Sequence, residues 1–304
     1  TMMIQHILNT ASLLAGIVLV MLSPGTGMTA ETAADSLLEA KKHFSFAVQY
    51  KKADAFDEAL EQYRQSIAYA DTIYQVRFSF ADLLLKMERT AEARREYLAA
   101  FRLNPEHENS ARMLARLYYE DAEYDSALVM FDTLYRIRPQ QQTLESVISL
   151  GRHLGRTETV LGAYETKMRD HALNTETCRA AAQYALDTSH PEKALTFAGR
   201  GLDESAGDET LLSIAADAAT KLEDYDSATE YLVTLMEAHP ENGDYPERLE
   251  TLARSTGDTR KLRHAMETLH ARNPADIEII ERLAEFYYEA GDMSAAKATA
   301  ETGI

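Results

Sequence analysis

One cysteine, Cys178, stands in 304 residues, so no intramolecular disulfide is available and packing alone must hold the fold. Basic charge is also short. Lys and Arg number 31 against 49 Asp and Glu, for a formal net charge of −18. Nucleic-acid contact and adsorption to anionic lipid both need clustered cations, so neither is expected of the body of the chain. Catalytic signatures are missing as well. The nine histidines are scattered, with no H-E-x-x-H and no His pair at helical ligand spacing beside a carboxylate. There is no phosphate-binding G-x-x-x-x-G-K and no nucleophile elbow. No enzyme activity, metal or cofactor is expected. Cys178, beside Ala180, Ala181 and Ala182, reads as core filler.

Charge is absent altogether from residues 1–30. Leu13 to Leu22 form an unbroken apolar run, followed by Ser23-Pro24-Gly25 and small residues ending at Met28-Thr29-Ala30. A short apolar stretch, a helix break and a small-residue end are the layout of a secretory signal peptide, with cleavage expected after Ala30. The other reading is a short uncleaved anchor, although the run falls below the roughly 20 residues that span a bilayer. Either way the chain is expected to be exported, periplasmic or outer-membrane associated, touching a membrane only through this segment if it is uncleaved. Residues 31–39 read as a linker or the start of a first helix.

What is abundant is a beat of 34 residues. Alanine recurs at Ala59, Ala93, Ala127, Ala194, Ala228 and Ala296, at intervals of 34 or multiples of it, with one residue deleted between Ala127 and Ala194. Proline keeps the same time at Pro105, Pro139, Pro240 and Pro274. Each period holds two apolar stretches at i, i+3, i+4, i+7 spacing, so two amphipathic helices are expected per period. No sustained strand alternation follows residue 34. A fixed period of this length marks an α-solenoid of antiparallel helix hairpins, all-α and right-handed as a superhelix. Eight units are expected, near 40–73, 74–107, 108–140, 141–174, 175–208, 209–242, 243–276 and 277–304, the last truncated. Asp125 and Asp226 are expected to cap second helices, and Ser189-His190-Pro191-Glu192 reads as a capping box with proline in the first turn. His107, His239 and His270 lie at repeat junctions.

One unit reads Ala111-x2-Leu114-Ala115-x2-Tyr118, then Ala127-x3-Phe131, then Pro139. The unit before it reads Phe80-Ala81-x2-Leu84, then Ala93-x3-Tyr97, then Pro105. These registers resemble the tetratricopeptide repeat (TPR) family, whose pattern is W-x2-L-G-x2-Y, then A-x3-F, then P. The chain departs from it in having no Trp, in lacking the small residues in its fourth unit, and in placing Glu250 where the seventh should carry Gly or Ala.

The resemblance implies that positions 2, 5, 9, 12 and 13 of each unit face a concave groove. They hold Lys41, Lys51 and Lys52 in the first unit and Arg112, Arg116 and Tyr119 in the third. The fourth presents Arg152 and His153, the fifth Arg179, and the eighth Glu278, Glu281, Glu285 and Glu289. Lys51, Arg112, Arg116, Tyr119, Arg152 and Arg179 are thus the candidate peptide-groove residues, with a protein or peptide, acidic in character, as the expected partner. The plainer alternative pairs Arg112 and Arg116 with carboxylates on adjacent helices. Two groove chemistries of the family do not match. The carboxylate clamp would fall on Phe44, Val48, Ser79, Asn109 and Met113, and the asparagine ladder finds no Asn at its register. The chain is therefore expected to be a non-catalytic scaffold that docks peptide or protein segments in the bacterial envelope. The alternative is the TPR arm of a longer export or assembly protein or enzyme, with its active or membrane domain beyond residue 304. The apolar residues Ala296, Ala300 and Ile304 are expected to be left partly bare at the end of the eighth unit.

Overall fold

A computed structural model describes residues 30–302 apart from 172, 173, 240, 241, 243 and 273. The expected leader, Pro240 and Ile304 lie outside the described residues. Sixteen helices and no strands are found among those described. In chain order they are α1 (Ala30–Lys52), α2 (Phe56–Tyr69), α3 (Tyr74–Lys86), α4 (Thr90–Leu103), α5 (Glu108–Glu120), α6 (Tyr124–Ile137), α7 (Gln141–His153) and α8 (Thr157–Asp170). They continue as α9 (Thr175–Asp187), α10 (Pro191–Glu204), α11 (Glu209–Lys221), α12 (Tyr225–Ala238), α13 (Asp244–Thr256), α14 (Thr259–Arg272), α15 (Ile277–Glu289) and α16 (Met293–Glu301). The chain divides into two compact units, one ending at Leu114 and the other beginning at Ala115, within α5.

Odd- and even-numbered helices pair as hairpins, and one turn closes all eight. A residue with left-handed backbone stands two places before each even helix: Asp54, Glu88, Ala122, Gly155, Ser189, Glu223, Gly257 and Gly291, with φ between 57° and 80°. The next amide donates back five residues, as in Ala55 to Tyr50 at 3.0 Å, Glu123 to Tyr118 at 2.8 Å and Asp292 to Tyr287 at 2.8 Å. This is the bond of a Schellman end, and it turns the chain sharply enough for the next helix to begin at once. The residue that donates it is also the N-cap of the even helix. Its carbonyl accepts from the fourth helical residue, which is the recurring alanine: Ala59, Ala93, Ala127, Ala194 and Ala228 donate at 2.9–3.0 Å and are fully buried. The alanine beat of the sequence is thus the fourth position of the even helices, where α8 and α14 carry Val160 and Leu262 instead.

The deleted residue can be placed. Four residues (Asn104 to His107) connect α4 to α5, whereas three (Arg138 to Gln140) connect α6 to α7. The loss falls beside Pro139, and the first helices start 33 rather than 34 residues apart there.

Two expected caps are corrected. Asp125 and Asp226 lie inside the first turns of α6 and α12, whose N-caps are Glu123 and Asp224. Asp224 accepts from the Ser227 amide at 3.2 Å, while Asp125 and Asp226 reach the next hairpin, pairing with Arg156 at 2.6 Å and Lys261 at 2.8 Å. No capping box forms at residue 189. Ser189 takes the left-handed position, His190 is the N-cap but its side chain does not bond the helix N-terminus, and Pro191 opens α10.

In the first unit Tyr63 is buried between Phe44 and Phe80, with ring centroids 6.1 and 5.5 Å away. In the second, an apolar core runs from Ala127 through Cys178 to Ala218 and continues in further clusters to Tyr287. Cys178 is fully buried, and burial pushes its thiol pKa up, which suits a packing role. Gly201 on α10 lets the helices close: a Cβ there would lie 2.8 Å from Cys178 Cβ and 2.4 Å from Leu211 Cδ1.

Candidate functional site

The fourth hairpin departs from the repeat, and two cavities flank its first helix. At the two registers where six other hairpins carry alanine, this one has Ile148 and Val160, and the seventh has Glu250 and Leu262. Gly151 compensates in part, since a Cβ there would meet Val160 Cγ2 at 2.8 Å. Ile148, by contrast, lines a cavity of about 500 Å³ bounded by α7, α8 and the start of α9. A second cavity of about 570 Å³ lies on the other side of α7, against α5 and α6. Glu145 and Ser149 line both, so the exposed face of α7 is the ridge between them.

The two cavities differ in chemistry. Tyr119, Tyr124, Phe131 and His153 make the α5–α7 cavity aromatic. Tyr124 stands 5.5 Å from Tyr119 and meets His153 edge-on at 5.2 Å, while Tyr119 is half exposed. The α7–α9 cavity is polar, with Gln141, Ser149, Asn174 and Thr177 beside the charged Arg152, Lys167, Glu145 and Glu176. Lys167 pairs with Glu145 at 3.4 Å, and hydrogen bonds from Gln141 and then from Lys167 hold the Glu145 carboxyl below its ordinary pKa. The Arg152 guanidinium lies 4.8 Å over the Tyr184 ring and has no carboxylate within ion-pair reach among the described residues. A third concavity of about 560 Å³, between α11 and α13, is acidic, with Asp217, Asp244 and Glu247 on its wall.

Of the six groove residues expected from the sequence, the second unit brings Tyr119 and Arg152 to these neighbouring cavities. The other four have carboxylate partners of their own. Lys51 sits 3.7 Å from Asp82, and burial, partly offset by that carboxylate, lowers its pKa. Arg112 pairs with Glu108 one turn back, and Arg116 lies 3.6 Å from Glu120 one turn on. Both partners lie on α5 itself, rather than on an adjacent helix. Arg179 donates to Asp208 at 2.6 and 2.9 Å, and Asp208 also caps α11 by accepting from the Leu211 amide at 3.0 Å. That hydrogen bond from Arg179 holds the Asp208 carboxyl below the ordinary carboxylate range. Lys41 and Lys52 are exposed, as are Glu278, Glu281, Glu285 and Glu289, which read as a solvated face.

Sequence reasoning missed Tyr124, Phe131, Ile148 and Tyr184. Their signal was the irregularity of the fourth unit: a helix short of its small residues cannot lie as close to its neighbours. At the junctions, His107 meets Phe78 edge-on at 4.8 Å and Tyr74 at a tilt at 4.9 Å, and His239 is the C-cap of α12. Among the described residues no cluster of three or more His, Cys, Asp or Glu is arranged to hold a metal, and no helix is long and apolar enough to cross a membrane.

Curated protein sequences include no match to the chain. Solved structures do align. A chain of the Naa15/Naa10 complex bound to HypK-THB matches 88% of this chain and 42% of its own, at 17% identity and a TM-score of 0.43. This chain therefore spans less than half the length of that one. The C-terminal part of a TPR repeat-containing protein from Cytophaga hutchinsonii matches 78% of this chain and 98% of its own, at 14% identity and a TM-score of 0.40. YrrB, described as a TPR protein with an unusual peptide-binding site, matches 71% and 94%, at 13% identity and a TM-score of 0.32. The tetratricopeptide repeat family model matches residues 74–107, which is the α3–α4 hairpin and its connection. Residues 74–107 are thus a tetratricopeptide repeat, and the other hairpins fit tandem units of the same repeat, closed by the same turn and carried on the same period.

Proposed function

We propose that this protein is a non-catalytic scaffold of the bacterial envelope that docks peptide or protein segments across the exposed face of α7. One observation carries the reading: two cavities of about 570 and 500 Å³ meet along one helix and share Glu145 and Ser149. Concave sites with an aromatic wall and a few placed polar groups are what peptide side chains need for burial and orientation. Ser149 is exposed on the ridge and lines both cavities, so Ser149→Trp places bulk at their shared rim without entering the core. A photocrosslinker placed at Ser146 in the full chain should capture a partner from an envelope fraction, and Ser149→Trp should abolish that adduct while leaving the circular dichroism spectrum unchanged. An adduct indifferent to Ser149→Trp sinks the reading.

Export is the second half of the proposal, supported by the apolar run Leu13 to Leu22 within residues 1–30, which hold no Lys, Arg, Asp or Glu. Intact mass of the protein recovered from the periplasm should correspond to a chain beginning at Glu31. Recovery of the unprocessed chain from the cytoplasm alone would count against it.

A further inference from the structure

We propose that the two cavities beside α7 form one bipartite receptor, selective for an extended segment that carries an aromatic side chain and a carboxylate about three residues apart. The inference rests on the docking reading above and adds the ligand's chemistry to it.

The aromatic half follows from the α5–α7 cavity. Tyr119, Tyr124, Phe131 and His153 offer ring faces and edges around one hollow, and Tyr119 is only half covered. An incoming ring finds both tilted and edge-on partners there, the arrangements aromatic pairs favour.

The acidic half follows from a balance of charges in the α7–α9 cavity. Lys167 and Glu145 offset one another, and Glu176 lies close enough to Arg179 to help hold it charged. Arg152 is left over. Carboxylates outnumber cations in this chain, yet the Arg152 guanidinium rests on the Tyr184 ring with no carboxylate in reach among the described residues. Stacking fixes the plane of the guanidinium and leaves its N–H edge free for bidentate donation, which a carboxylate matches.

The spacing follows from the ridge. Neighbouring packed helices stand about 8–10 Å apart, so the two hollows on either side of α7 are separated by about that distance. An extended chain rises about 3.3 Å per residue, so three residues bridge the ridge.

The test is fluorescence anisotropy of the full chain with three fluorescein-labelled hexapeptides in a Ser/Gly background. One carries Phe and Asp three positions apart, the second has Asn for that Asp, and the third has Phe and Asp adjacent. The spaced acid peptide should bind at least about tenfold tighter than the other two, as expected when a charge-assisted hydrogen bond is gained, and Arg152→Gln should erase its advantage over the amide. Equal binding of the acid and amide peptides to wild type overturns the acid subsite and leaves the docking reading standing. Equal binding of the spaced and adjacent acid peptides overturns the bipartite geometry. Binding that survives Ser149→Trp puts the site elsewhere and overturns both readings. No binding of any peptide at millimolar protein overturns the motif, with the docking reading then judged by the crosslinking experiment.

Discussion

Arg282 on α15 donates to Glu250 on α13, across one full repeat, and Arg254 donates to the same carboxylate from one turn further along α13 at 2.8 Å. Glu250 is almost wholly buried, at the register where the family carries a small residue, whereas both arginines keep contact with water. The cost of breaking the cluster is therefore asymmetric. Arg282→Ala strands part of a buried carboxylate and should destabilise α13 to α15 by about 2 kcal/mol, while Glu250→Ala frees two cations that can hydrate and should cost less. Hydrogen exchange of the α13 and α15 amides reads this locally. A larger effect from Glu250→Ala would reverse the assignment.

The eight hairpin turns place five side-chain-bearing residues in left-handed backbone. Ala122 has no polar side chain to compensate at its φ of 57°, so Ala122→Gly should stabilise the α5–α6 hairpin by up to about 1 kcal/mol. The reverse change, Gly155→Ala, should cost about 1 kcal/mol by backbone strain alone, because its Cβ would meet nothing within 4 Å. Urea melts of the two variants should move in opposite directions.

Gly201→Ala tests close packing instead. The new methyl would press on Cys178 Cβ, which has no freedom to withdraw, so a loss of about 1–3 kcal/mol is expected. The double variant with Cys178→Gly should recover part of it. A single change that is neutral in thermal melts would show that α9 and α10 are not close-packed at Gly201.

Asp208 couples a helix cap to an ion pair, and pH separates the two. Its carboxyl pKa is depressed below the usual 3.8, chiefly by the hydrogen bond from Arg179. A depressed folded pKa gives stability that is fully present above the unfolded value and lost as pH falls through the folded one. Asp208→Asn keeps an acceptor for the Leu211 amide and loses the charge. Its melting temperature should therefore lie below that of wild type at pH 7, with the gap closing in the acid range below the usual carboxylate value. A gap unchanged down to pH 2 would assign the effect to the cap.

The repeat was legible because it is local. A helix that must close within one period needs its small residue, its turn and its junction at fixed intervals, and these leave a beat in the letters at Ala59, Ala93 and Ala127. The caps were misread at Asp125 and Asp226 because the left-handed turn sets the start of the helix, and five of its eight residues are not glycine. The candidate site was half legible: Tyr119 and Arg152 lie at its edges, but Ile148, Phe131 and Tyr184 looked like ordinary core letters.

The sequence by itself determined the hairpin, its period and the chain's acidity, since each depends on residues within one repeat or on a sum over all of them. Only the tertiary structure decided which cations are spoken for. Lys51 and Arg179 find Asp82 and Asp208 about 30 residues away, while Arg152 finds a ring in place of a carboxylate. Such partners are set by how neighbouring hairpins pack, and that packing changes with single residues such as Ile148 and Gly151 that the repeat pattern leaves open.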